Sequence, residues 1–265
     1  MTHPVRVGIG GWIFEPWDET FYPDKWPKAR QLEYASRKVT AIEVNATFYR
    51  TMAPSVFAKW SAETPDDFVF CLKAHRFATS RKTFDDMKLS CGRFIDSGVM
   101  ELGDKLGPIN WQFNPARKFE ADYFDAFLRA LPREKAGREL RHVLEVRHQS
   151  FNTPEFFDLL SRHKASVVLA DDEDWPRFDH SSASFVYARL MRSQADEPAG
   201  YPAKDIEAWA KALNGWSATR DVFAFFISGA KERNPLAAMA MLDELGLTPG
   251  RAIEQKAAKI ALKKA

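Results

Sequence analysis

The chain has 265 residues, 45% of them hydrophobic, enough for one large α/β core or two small ones. Its net charge of +2 argues against a strong electrostatic pull toward nucleic acid or an anionic membrane. No run approaches the roughly 20 apolar residues of a bilayer-spanning helix, the start MTHPVRVGIGGW lacks a signal-peptide pattern, and two cysteines with no CxxC spacing point to a disulfide-free cytoplasmic protein, with Cys71 a small core residue.

Apolar runs with strand character recur every 20 to 40 residues or so. In chain order they are Val5–Ile9, Ala41–Val44, Phe68–Leu72, Ile109–Gln112, His142–Val146, Ser166–Leu169, Phe185–Leu190 and Val222–Ile227. Helical spacing fills most gaps. Trp26–Val39 carries Leu32, Ala35 and Val39 on one face, and Pro54–Ala62 opens with proline and serine. Thr83–Lys105 reads as helix broken at Gly92, Gly98 and Gly103. Ala121–Leu131, Glu155–His163 behind Thr153-Pro154, Ala203–Leu213 and Pro235–Leu245 follow. Eight strand–helix units in about 250 residues are the arithmetic of an α/β TIM-like (β/α)8 barrel in a single domain. A doubly wound open sheet is the alternative. Its nucleotide fingerprint is absent, because Gly8-Ile9-Gly10-Gly11 runs into Trp12-Ile13-Phe14, and no phosphate-loop motif occurs. Residues 1–250 are assigned to the barrel and 251–265 to a basic Ala/Lys-rich tail, read as a solvated terminal helix.

The strand runs end repeatedly in charge. Glu43, Lys73, Glu145, Arg147 and Arg189 lie inside or at the end of hydrophobic segments, where an unpaired charge is costly. Residues two apart on a strand share a face, which pairs Glu43 with Asn45, Lys73 with His75, Glu145 with Arg147, and Tyr187 with Arg189 and Met191. In a barrel these faces converge on the C-terminal mouth, where barrel active sites lie. Glu43, Glu145 and Asp171 balance Lys73, Arg147 and Arg189 as a buried ion network; a pocket for substrate is favoured over a purely structural network, since such networks are costly for stability alone.

Three chemistries suit these residues. Glu43 and Glu145 are candidate catalytic carboxylates, with Glu145 beside Arg147 suited to a base. Lys73, if desolvated, serves as acid, base or Schiff-base nucleophile. Arg147 and Arg189, with Lys73, clamp an anion, while Asn45 and Gln112 orient it. A metal on Glu43, Glu145, His148 and Asp171 is not favoured: Glu145 and His148 are three apart, and no clustered histidine motif occurs. Of the aromatic residues between Trp12 and Trp26, Trp12 is the one expected at the mouth, along with Tyr49 after the second strand. Ser228–Lys231 reads as a strand-to-helix turn, with an anion cradle as the alternative.

Several motifs resemble the YecE-like family, a bacterial and archaeal family of unknown function. They are Gly8-Ile9-Gly10-Gly11-Trp12 with Trp17 and Phe21-Tyr22-Pro23, Glu43-Val44-Asn45-Ala46-Thr47-Phe48-Tyr49, and Phe68-Val69-Phe70-Cys71-Leu72-Lys73-Ala74-His75-Arg76. Leu106-Gly107-Pro108 with Gln112, Glu145-Val146-Arg147-His148-Gln149-Ser150-Phe151, and Arg189 continue the series. The resemblance implies a TIM-barrel-like fold and supplies no established activity. It departs on one side. The family's Arg-x-His-Gly after strand seven is here Arg189-Leu190-Met191-Arg192, and its strand-eight asparagines are replaced in Phe226-Ile227-Ser228-Gly229 and Leu236-Ala237-Ala238.

The resulting expectation is a small-molecule enzyme with a charged pocket at the barrel mouth, acting on a phosphorylated or carboxylated substrate by acid/base or hydrolytic chemistry. Glu43, Lys73 and Glu145 are its catalytic candidates; Trp12, Asn45, Tyr49, Gln112, Arg147 and Arg189 are its substrate-binding candidates. The alternatives are a nucleic-acid-processing protein, since some family members have been likened by shape to metal-dependent, phosphate-handling barrels, and a non-catalytic ligand-binding module.

Overall fold

The computed structural model describes residues 2–179 and 183–250. Eight parallel strands close into a barrel: β1 (Val5–Gly10), β2 (Ala41–Val44), β3 (Val69–Lys73), β4 (Leu106–Gln112), β5 (His142–Glu145), β6 (Ser166–Asp171), β7 (Phe185–Leu190) and β8 (Asp221–Phe226). Each pairs with its neighbours in chain order, and β1 closes the ring against β8 with Val7 opposite Ala224. Every strand expected from the sequence is present. Six longer helices lie between or after the strands: α1 (Pro54–Glu63), α2 (Phe84–Ile95), α3 (Ala121–Ala130), α4 (Pro154–His163), α5 (Ala203–Ser217) and α6 (Asn234–Glu244). A short antiparallel hairpin, Glu134–Lys135 with Arg138–Glu139, precedes β5. The protein is a single-domain (β/α)8 barrel. No helix among the described residues is long and apolar enough to cross a membrane.

Strand alternation divides the core in two. Outward residues such as Val7, Ile42, Phe70, Trp111, Leu144 and Phe226 pack beneath the helices in the larger cluster. Inward residues such as Ala41, Val69, Cys71, Val143, Tyr187 and Phe225 fill the barrel lumen in a second, smaller cluster. Gly8 permits close approach there: a Cβ would lie 1.9 Å from the Ala41 carbonyl oxygen and 3.2 Å from the Phe225 ring. Thr83 and Thr153 cap α2 and α4, accepting from the amides of Asp86 (3.2 Å) and Phe156 (3.3 Å).

Two helical expectations are corrected. Trp26–Val39 contains only a 3-10 turn (Lys28–Arg30) and one short helix (Gln31–Ala35), because Pro27 is extended and the chain turns after Ala35 to enter β2. Leu32, Ala35 and Val39 are nonetheless buried. In Thr83–Lys105, Gly92 lies inside α2 and does not break it. The break falls at Gly98, whose φ of 109° starts a 3-10 segment, Val99–Lys105, with Gly103 kinking that segment. Three short helices follow the first three strands at the barrel mouth: Trp17–Thr20, Ala46–Tyr49 and Phe77–Ser80. The Ala/Lys-rich tail lies outside the described residues.

Candidate functional site

The lumen changes character toward the C-terminal ends of its strands. On β2 the inward series runs Ala41 then Glu43; on β3, Val69, Cys71, Lys73; on β7, Phe185, Tyr187, Arg189. β4 contributes Asn110 and Gln112, and β5 contributes Glu145 after Val143. An apolar lower lumen therefore carries a polar upper layer.

Glu145 is the hub of that layer. Only 3% exposed, its Oε1 accepts from Arg189 Nη1 at 2.6 Å and from Arg147 Nε at 3.1 Å, while Oε2 accepts from Asn110 Nδ2 at 2.9 Å and lies 3.9 Å from Lys73 Nζ. Burial pushes its carboxyl pKa upward, but Arg189, Lys73 and Arg147 outweigh burial and hold it at about 2. Arg189 also faces Glu43, with Nη2 at 3.3 Å from Oε1, and Tyr187 donates to Glu43 Oε2 at 2.7 Å. Burial opposes the charge on Arg189, yet Glu145 and Glu43 raise its pKa above the usual arginine value. Burial and the Glu43 charge push the Tyr187 hydroxyl well above its ordinary value, so it stays a proton donor.

Above this layer opens a cavity of about 530 Å³. Trp12, Asn45, Tyr49, Lys73, Gln112, Arg147 and Arg189 all line it. Glu43 and Glu145 do not: they lie beneath the lining, behind Arg189 and the other cations. Lys73 Nζ donates to Gln112 Oε1 and sits 5.0 Å over the Phe48 ring. Burial lowers its pKa, and the Glu145 charge only partly opposes that. The short helix after β2 locks this end of β3, because Thr47 Oγ1 donates to the Lys73 carbonyl at 2.7 Å. Trp12 packs edge-on against Trp60 at 5.1 Å, forming an aromatic wall, while Tyr49 stands exposed at the rim.

Two groupings drawn from the sequence differ. Asp171 is not in the network: Val168 and Ala170 face the lumen, so Asp171, one residue on, faces out. His75 and Met191 lie beyond the ends of β3 and β7, where alternation no longer places them, and neither lines the cavity. The Ser228–Lys231 segment is the strand-to-helix turn that the sequence favoured, and it is pinned in place. Its Ala230 amide is spent on the Ser193 carbonyl (2.8 Å), Ser193 Oγ donates to Asn234 Oδ1 (2.7 Å), and Asn234 Nδ2 donates to the Ser228 carbonyl (3.1 Å).

That turn presents Lys231, which sequence reasoning named only as part of the turn. Lys231 lines the cavity and rests 4.2 Å over the Phe14 ring; burial lowers its pKa. No carboxylate among the described residues pairs with it. Asn110 was also missed, although an asparagine inside the apolar run Ile109–Trp111 is the same signal that revealed Glu43. Among the described residues no three His, Cys, Asp or Glu side chains group as a metal site. His148 instead closes its own turn, accepting from the Ser150 amide at 3.1 Å.

Residues 6–261 match the family described as "Protein of unknown function DUF72". The UPF0759 protein YunF of Bacillus subtilis (strain 168) is 24% identical over 265 residues, covering 84% of this chain and 88% of YunF. The crystal structure of a DUF72 family protein from Thermotoga maritima MSB8 superposes with a TM-score of 0.76 at 20% identity, covering 92% of this chain and 100% of that one. D-psicose 3-epimerase from Clostridium cellulolyticum H10, solved with D-tagatose, shares the fold alone, with a TM-score of 0.54 at 14% identity over 93% of this chain and 98% of that one. The motifs that resemble the YecE-like family thus lie on a chain that belongs to the DUF72 family.

Proposed function

We propose that the protein is an enzyme acting on a small anionic metabolite by acid/base chemistry at the barrel mouth. One observation carries this reading. The cavity is lined by Arg50, Lys73, Arg147, Arg189 and Lys231, and by no aspartate or glutamate. A low-dielectric concavity lined by one sign of charge concentrates ligands of the other sign. Arginine forks match phosphate and carboxylate oxygens, and the volume is that of a metabolite site. Arg147 and Arg189 would grip the anionic group from the floor, Lys231 from the wall built after β8, and Trp12 would cover an apolar or sugar-like face of the ligand.

The roles of the carboxylates change from the sequence expectation. A carboxylate held at a pKa of about 2 is a poor proton carrier at neutral pH, so Glu145 acts as the counter-ion that gathers three cations. Glu43, buried behind Arg189, holds that guanidinium and Tyr187 in place. Lys73 is the titratable group facing the cavity that is best suited to move a proton, because burial brings its pKa toward the working range.

A thermal-shift screen of phosphorylated, carboxylated and neutral metabolites tests the reading. Anionic ligands should raise the melting temperature, with a gain of about 2.7 kcal/mol at a hundredfold excess over Kd. Arg147→Met and Lys231→Met should remove that response. Equal responses to neutral sugars, or none to any anion, would reject the proposal. Stabilisation by oligonucleotides alone, lost steeply with salt, would move the function to nucleic acid.

A further inference from the structure

Lys73 has unspent chemistry. It is 6% exposed, yet it lines the cavity. One N–H is used on Gln112 Oε1, and Glu145 at 3.9 Å is beyond hydrogen-bond reach. No further acceptor is recorded for that nitrogen among the described residues. Its neighbours Arg189 and Arg147 share the Glu145 carboxylate and face the same space. An anionic group gripped by the two guanidinium groups would therefore hold its adjacent carbons beside Lys73 Nζ. Burial and the neighbouring arginines shift a lysine toward its neutral, nucleophilic form, while Glu145 and Glu43 favour the cation; the net direction at Lys73 is downward. Gln112, its Oε1 occupied by Lys73, would offer its Nε2 donor to an oxygen bound to the attacked carbon.

We infer that Lys73 forms an imine with carbonyl compounds that carry an anionic group, such as oxo acids or phosphorylated aldoses and ketoses. This rests on the anion-binding reading of the same cavity. When Nζ is deprotonated, its lone pair adds to the carbonyl carbon, and the C=O π pair takes up the proton released by nitrogen, giving a carbinolamine. A proton from solvent, taken up by that hydroxyl, expels water and leaves the iminium. The iminium withdraws electrons from the adjacent carbon and so weakens its bonds to hydrogen or carbon. Lys231, the second lysine of the lining, lies over Phe14 after β8 and serves as an anion contact.

The full chain is incubated with glyoxylate, a small anionic aldehyde, and sodium cyanoborohydride at mildly alkaline pH, then digested and mapped by tandem mass spectrometry. Cyanoborohydride delivers hydride to the iminium carbon and fixes the adduct as a secondary amine. Lys73 should be carboxymethylated about tenfold faster than Lys25, whose side chain is 91% exposed. Inorganic phosphate should slow the labelling of Lys73 and leave Lys25 unchanged. Labelling of Lys73 no faster than Lys25 overturns the inference. A calorimetric titration with inorganic phosphate separates the two failures: phosphate bound by a protein whose Lys73 stays unlabelled overturns the imine alone, and phosphate unbound with Lys73 unlabelled overturns the anion site as well.

Discussion

Arg189 joins the two buried carboxylates. Glu43 and Glu145 are both within ion-pair distance of its guanidinium, and all three side chains are nearly or fully buried. Removing one partner of a buried ion network leaves uncompensated charge, which costs about 3–5 kcal/mol. Arg189→Met should lose that much in urea unfolding, whereas Lys231→Met, whose lysine has no carboxylate partner among the described residues, should stay within about 0.5 kcal/mol of wild type. Equal losses would mean that Arg189 is not the keystone. Acid should act first through His142. Burial holds its pKa at about 4 against 6.5 for an ordinary histidine, opposed only by the hydrogen bond to the Pro132 carbonyl. Between those values the unfolded chain binds the extra proton, so stability falls as pH drops through that window, by roughly 2–3 kcal/mol. Glu145 follows at lower pH: its folded value of about 2 lies below the ordinary 4.5, so its contribution, complete above 4.5, is lost on further acidification. Urea midpoints measured from neutrality down to pH 4 should decline, and His142→Gln should flatten that decline. An unchanged slope would assign the acid sensitivity elsewhere.

The glycines around α2 show how far a local pattern reaches. Gly92 and Gly98 look alike in sequence, yet Gly92 has open space where a Cβ would go, while at Gly98 a Cβ would lie 2.6 Å from Pro54 Cα in a left-handed backbone. Gly92→Ala should therefore stabilise by roughly 0.5–1 kcal/mol, since glycine inside a helix costs about that much. Gly98→Ala should destabilise by more than about 1 kcal/mol. Thermal melts of the two variants should move in opposite directions; shifts of the same sign would refute this account of the break. The strands were legible because a buried parallel strand is a continuous apolar run bounded by turns. The single-turn helices after β1, β2 and β3 were not. One turn is too short to show a period, and Ala46–Tyr49 is held by a contact across the chain, Thr47 to the Lys73 carbonyl. The helix expected over Trp26–Val39 shortened because its apolar spacing is met by a turn that buries the same residues.

Across the whole barrel, alternation told which face a charge occupies but not its depth along the lumen. Glu43 and Lys73 both point inward. Only the stagger of the strands, with Glu43 beside Cys71 and Lys73 beside Asn110, puts the lysine on the cavity lining and the glutamate beneath it. Charge inside apolar runs therefore pointed to the end of the barrel where the cavity lies and to three of the five cations that line it. The division between cations that face the ligand and carboxylates that stand behind them needed the closed barrel. Lys231 was harder still to read, because it lies on a turn fixed by Ser193 and Asn234 from neighbouring segments. On this arrangement the molecule is nearly neutral overall, yet it gathers five cations around one cavity. An anomalous difference map from crystals soaked in selenate tests that most directly. The account predicts a peak inside the barrel mouth within hydrogen-bond distance of Arg147 or Arg189; peaks confined to the outer surface, with the mouth holding only water, would contradict it.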